Sequence, residues 1–143
     1  MGTLSSGESD GEEGGRAMER HIRITAGGVM VTATLDESET ADGVWAALPL
    51  RSVASRWGDE VYFTIPIRLP EAADAREDVQ IGELAYWPVG AAFCIFFGPT
   101  PASTGGKPRA YSNVNPFGAV DGDAAALRAV RDGDPVLVEA EPS

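Results

Sequence analysis

Alternation of strand and turn signals predicts a mainly β protein, a closed barrel of about eight strands with two short helices. Three observations carry this expectation. Runs rich in β-branched and aromatic residues follow one another through short turns of Gly, Pro, Asn and Asp. No strand leads into the long helix that a parallel crossover requires, which sets aside a doubly wound sheet. The most apolar stretch, residues 82–101 (GELAYWPVGAAFCIFFGPTP), reads as a hairpin on which the other strands assemble. Its arms are residues 84–87 and 93–97, parted by Pro88-Val89-Gly90 and closed by Gly98-Pro99-Thr100-Pro101.

The elements follow in order. Residues 1–18, built mainly of Gly, Ser and Glu, have almost nothing to bury and are expected to form a disordered acidic tail, with the domain spanning 19–143. Residues 21–25 and 29–35 alternate, Ile22, Ile24, Val29, Val31, Ala33 and Leu35 facing inward, and Gly27-Gly28 supplies the hairpin turn. Ala41, Val44, Trp45 and Leu48 then fall on one helical stripe, ended by Pro49. Asp36 with Glu39 has the spacing of a capping pair, and Ser38 is the alternative cap. A strand is expected over 50–56 and a stronger one over 61–67, where Val61, Phe63, Ile65 and Ile67 oppose Glu60, Tyr62, Thr64 and Pro66. Pro66 has no N–H to give to a ladder, so that end is an edge or a bulge. Residues 68–80 form a polar connection with a helical turn over 71–76. Beyond the central hairpin come a long loop over 98–109, a strand over 111–120 interrupted at Asn115-Pro116 and Gly118, a short helix capped by Asp123, and a last strand over 135–139.

Composition narrows the function. The chain has 143 residues and a net charge of −11, with Lys107 its single lysine. So acidic a surface is repelled by phosphate backbones and anionic lipid, which excludes nucleic acid and membrane as expected partners. The single cysteine, Cys94, rules out an internal disulfide or a multi-cysteine metal site, and its apolar neighbours mark it as a small core residue. No run approaches the roughly 20 apolar residues of a membrane helix. The N-terminus lacks the layout of a signal peptide, so the cytoplasm is the expected location. No cofactor and no metal is expected.

Four motifs carry a resemblance. Leu48-Pro49, the run 57–63 (WGDEVYF), the run 82–88 (GELAYWP) and the run 96–101 (FFGPTP) are similar, in order and spacing, to a family of small prokaryotic cyclophilin-like proteins. The match covers residues 20 to 139, and it implies a cyclophilin-type barrel of eight strands capped by helices. Phe117-Gly118-Ala119-Val120 echoes a further cyclophilin segment. In cyclophilins an arginine in a Phe-x-Arg segment donates to the prolyl nitrogen, and a Gln-Gly-Gly follows it. Neither motif occurs here, and Ile95 stands where a glutamine precedes the Phe-Phe pair. The catalytic residues are therefore unassigned.

Candidate contacts are Glu60, Tyr62, Tyr86, Trp87, Phe96 and Asn115, with Trp57 beside them. Trp and Tyr join apolar area to a hydrogen-bond donor, which suits a ligand pocket, and the alternative is that these rings fill the barrel. Asn113, Asn115 and Thr100 either bond a peptide backbone or hold their own loops. His21, the only histidine, sits alone at a strand start. Asp121-Gly122-Asp123 and Asp132-Gly133-Asp134 lack the remaining ligands of a calcium loop and read as turns. The expected function is a module that binds a small molecule or a proline-containing peptide. A divergent peptidyl-prolyl isomerase and an accessory domain of a metabolic enzyme complex are the alternatives. The isomerase needs a cation beside an apolar pocket, from Arg51, Arg56 or Arg109, and the accessory domain needs a large exposed apolar patch.

Overall fold

The structure, a computed structural model, describes residues 19–141; the expected acidic tail over 1–18 lies outside them. The fold is mainly β and antiparallel, with ten strands, a short α-helix and a 3₁₀ helix among the described residues. The first hairpin joins β1 (Arg20–Ala26) to β2 (Val29–Leu35). Its turn needs the left-handed backbone of Gly27, φ +58°, where a Cβ would also strike the Asp134 carboxylate. Helix α1 (Glu39–Ala47) buries Ala41 and Val44. Ser38 is its cap, accepting from Ala41 N–H at 3.1 Å, while Asp36 accepts from Ser38 N–H instead.

The remaining strands are β3 (Leu50–Val53), β4 (Ser55–Arg56), β5 (Glu60–Thr64), β6 (Arg76–Asp78), β7 (Glu83–Trp87), β8 (Ala92–Phe96), β9 (Arg109–Val120) and β10 (Pro135–Ala140). The sheet runs β3-β10-β1-β2-β9-β7-β8-β5-β4, with β6 attached to β9. The central hairpin is β7 and β8, as its turn chemistry required. β9 is the organising strand, pairing with β2, β7 and β6. Its register slips by one residue between Pro116 and Gly118, so Phe117 is the extra residue of a bulge. The bulge tolerates the missing N–H of Pro116 inside a paired strand.

Two expectations need correction. The closed eight-stranded barrel is instead an open ten-stranded sheet whose end strands are β3 and β4. The chain passes directly between these ends through Ala54, a single residue that cannot turn the backbone on itself, so no ladder forms between the two. The Ala54 N–H goes to Asp134 O at 2.9 Å and its carbonyl accepts from Gly133 N–H at 2.9 Å, so the 132–134 turn satisfies the backbone at this break. One side-chain bond, Ser52 Oγ to Thr64 O at 2.7 Å, spans the gap. The helical turn expected over 71–76 is a β-turn closed by Ala75 N–H to Ala72 O, followed directly by β6. The amide of Asn115 captures the backbone there: Oδ1 accepts from Ala72 N–H at 2.8 Å and Nδ2 donates to Pro70 O at 2.9 Å.

The main core lies on one face of the sheet, under α1 and the 3₁₀ helix (Ala124–Ala129), which Asp123 caps. Phe93 is its centre, stacked on Phe63 at 4.8 Å and edge-on to Phe117 at 5.0 Å. A second cluster occupies the opposite face: Ala85, Ala92, Cys94 and Phe96, covered by Val79, Ala110 and Val114. The two clusters explain why 92–96 reads as a continuous apolar run, because every residue of β8 is buried, on one side or the other. Among the described residues no helix is long and apolar enough to cross a membrane.

Candidate functional site

The second face is incompletely filled. A cavity of about 290 Å³ opens there, lined by Trp57, Glu60, Tyr62, Trp87, Cys94, Ala110, Tyr111 and Val114. Strand alternation and register build its floor. In β5, Glu60 and Tyr62 point away from the main core, and β8 brings Phe96 opposite Glu60 and Cys94 opposite Tyr62. On the other side β7 sets Trp87 opposite Ala92 and Ala85 opposite Cys94. The N-terminal half of β9 crosses above with Ala110, Tyr111 and Val114.

The aromatic walls are held from behind. Trp57 sits in the β4–β5 turn, where its N–H donates to Glu60 O at 3.0 Å. Gly58 makes that turn possible: at φ +60° a Cβ would lie 2.8 Å from Pro101 Cδ and 2.9 Å from Thr100 Cα. Trp87 Nε1 donates to Ser112 Oγ at 2.7 Å, and the indole lies against Gly90. Tyr111, 74% exposed, spans the mouth edge-on to both tryptophans, with ring centres 6.0 Å from each.

At the bottom is a carboxyl in an unusual state. Glu60 is only 6% exposed, no arginine is paired with it among the described residues, and its carboxyl has the Cys94 thiol as a hydrogen-bond partner. Burial favours the uncharged form and pushes its pKa from 4.5 up to about 7; the neighbouring Cys94 thiol pulls weakly the other way. Burial and then the nearby Glu60 charge push the Cys94 thiol well above its ordinary value. At neutral pH the carboxyl is thus poised between its two forms, and it can accept or donate a hydrogen bond, or balance a positive charge.

Three of the six candidate residues, Glu60, Tyr62 and Trp87, line this cavity together. Phe96 is fully buried on the same face, inside the second cluster beneath it. Tyr86 faces the other way, into the main core, where its hydroxyl accepts from Leu69 N–H and donates to Ile67 O, both at 3.1 Å. Asn115 pairs with Tyr86 across the strands and shares that side; its amide is spent on Ala72, Pro70 and Thr40. Asn113 donates to Glu71, and Thr100 holds its loop through Ser103 and Arg109 O. His21 lies outside the cavity, between Glu19 and the Thr34 hydroxyl.

Cys94 and Tyr111 are the lining residues whose part the residue types concealed. Cys94 alternates with Phe93 and Ile95, so its opposite orientation was legible once β8 was placed. Tyr111 offered the weaker signal of a single aromatic at the start of a polar strand. A wider cavity of about 610 Å³ lies between 38–40 and 69–74, with Glu39, Glu71 and Asp74 in its lining.

Fold and cavity together define a small antiparallel β domain with a carboxyl buried in an aromatic pocket on its second apolar face. The chain belongs to the Cyclophilin-like family, whose model matches residues 20–139. It is similar to a hypothetical protein of Archaeoglobus fulgidus, whose solution structure superposes with a TM-score of 0.76 at 37% identity, covering 90% of this chain and 99% of that one. No curated protein matches the sequence.

Proposed function

We propose that the chain is a binding module that takes a small organic group, free or borne on a peptide, into the cavity between β5, β8 and β9. The observation that carries this reading is Glu60. A carboxylate buried with no cation and only a thiol beside it costs several kcal/mol, and an apolar residue of similar size would fill the site more cheaply. Such a group is the mark of a site kept for a ligand rather than for stability. At the ~30 Å³ that a water molecule takes in the liquid, the cavity holds about ten non-hydrogen atoms, which suits a small headgroup or one side chain.

No observation favours the isomerase alternative. The cavity lining contains no arginine or lysine. Arg56 lies over Phe97 and donates to Gly58 O and Val130 O, and Arg109 is paired with Glu77 and Asp78. Arg51 stands exposed on β3, opposite Leu137. For the accessory-domain alternative, the large exposed apolar side chains come from five separate segments, at Met30, Val53, Ile81, Val89 and Tyr111.

The three tryptophans supply the test, because Trp57 and Trp87 line the cavity while Trp45 lies on α1 against Arg20. In an NMR titration with mixtures of neutral, acidic and basic organic fragments, the indole N–H signals of Trp57 and Trp87 should move and that of Trp45 should stay. Movement of Trp45 alone, or of none of the three with any mixture, would refute the site. An Ala-Pro peptide in the same series checks the alternative, since accelerated cis–trans exchange would restore the isomerase.

A further inference from the structure

We propose that the ligand of this cavity is an organic ammonium ion, with Trp57, Tyr62, Trp87 and Tyr111 forming an aromatic cage around it and the Glu60 carboxylate as its counter-ion. The proposal rests on the cavity being a ligand site at all, and it names the class of ligand.

Three independent features converge on a cation. The first is the aromatic lining: four rings from the β4–β5 turn, β5, β7 and β9 surround one small space. Tryptophan and tyrosine attract a cation through the negative potential of the ring face, most strongly where water is excluded. The second is the charge balance. Glu60 is the single carboxylate among the lining residues, and no positive side chain lines the cavity with it. Elsewhere several arginines sit close to carboxylates: Arg20 with Asp42, Arg23 with Glu139, Arg76 with Glu83, Arg109 with Glu77. Among the described residues the buried carboxylate Glu60 has no such arginine, and it opens onto the cavity. The third is the whole-chain charge of −11, which raises the local concentration of a cation and lowers that of an anion.

The degree of substitution on nitrogen follows from the lining. A primary ammonium brings three N–H donors that must each find an acceptor once it leaves water. The Trp57 and Trp87 side chains offer donors only, those of Ala110 and Val114 neither, and the Cys94 thiol is a weak partner, which leaves the Glu60 carboxylate and the Tyr62 and Tyr111 hydroxyls as acceptors. The lining thus holds more aromatic and apolar surface than acceptors, which favours a tertiary or quaternary ammonium, whose alkyl groups ask for such surface.

The titratable groups that line the cavity with Glu60 are Cys94 of β8, Tyr62 of its own strand and Tyr111 of β9. A bound cation favours the ionised carboxylate. Affinity should therefore rise as pH rises toward 7 and level off above it, with a proton released on binding near pH 7.

Tetramethylammonium and choline are the probes, and 3,3-dimethylbutan-1-ol, the uncharged carbon analogue of choline, is the control of matched shape. With the full chain at pH 8 and low salt, both cations should shift the Trp57 and Trp87 indole signals. The alcohol should bind at least about tenfold more weakly. Glu60→Gln should reduce choline affinity by about tenfold or more and abolish its pH dependence, and Tyr111→Ala, at an exposed position, should weaken it without unfolding the protein. Equal or tighter binding of the alcohol, or unchanged choline affinity in Glu60→Gln, would overturn the cation while leaving the cavity as a site for neutral ligands. No response to either cation would also overturn it, and the fragment titration then decides separately whether the cavity binds anything.

Discussion

Replacing Glu60 by glutamine isolates the energetic cost of the buried carboxyl. The unfolded chain loses this proton near pH 4.5 and the folded chain only near 7. Between those values the folded state holds a proton that the unfolded state has released, so stability falls as pH rises through that window and stays reduced above it. At about 1.36 kcal/mol per pH unit, the gap comes to about 3 kcal/mol. Glutamine has nearly the shape of the protonated acid and carries no charge at any pH. Glu60→Gln should therefore match the wild type near pH 4.5 and exceed it by about 3 kcal/mol at pH 8, roughly 10 °C in Tm for a domain of this size. Urea unfolding of both proteins at a series of pH values is the assay. Every other group is the same in both proteins and cancels in the difference. Two stability curves that run parallel from pH 4.5 to 8 would show that Glu60 ionises in the fold as freely as in water, and the physical basis of the site would fall with it.

Asn115→Ala should cost about 3 kcal/mol, because it strands Ala72 N–H and Pro70 O beneath the 68–75 segment; urea midpoints and exchange of the Ala72 amide check this, and protection left intact would refute it. Gly118→Ala should destabilise by more than about 2 kcal/mol, since the added Cβ would sit 2.5 Å from Thr34 O and 3.1 Å from Leu35 Cα, both backbone atoms of the paired strand. An unchanged Tm would mean that β2 and β9 part at no cost. Cys94, 2% exposed and with its thiol pushed up by burial, should react with iodoacetamide at pH 8 at least about tenfold more slowly in the folded protein than in the urea-unfolded chain. Equal rates would mean an open cavity floor.

Much of the fold is written in local signals. Gly27-Gly28 and Pro88-Val89-Gly90 set the two hairpins, and the helix stripe at Ala41, Val44 and Trp45 ended at Pro49, because turn chemistry and periodicity act within a few residues. Alternation likewise separated Glu60 and Tyr62 from Val61 and Phe63. The same rule argued against placing Tyr86 and Trp87 in one pocket, since neighbours on a strand face opposite ways, and the structure sends Tyr86 inward and Trp87 to the cavity. Asn115 follows Tyr86 because it is that residue's cross-strand partner.

What the sequence by itself determined is therefore most of the strands along the chain, the hairpin turns and the alternation within each strand, while the strand over Arg76–Asp78 and the break at Ala54 escaped it. Only the tertiary structure decided that the second face forms a site. The meeting of Trp57, Glu60, Cys94 and Tyr111 depends on the register of β5 on β8 and on β9 crossing above them, pairings between segments up to about fifty residues apart that no local pattern encodes. The backbone bonds of Ala54 at the open edge have the same origin, since they go to the 132–134 turn, far along the chain. The charge state of Glu60 was decided there too, because a carboxyl's pKa is set by how much water its surroundings leave it, and burial exists only once the strands have met.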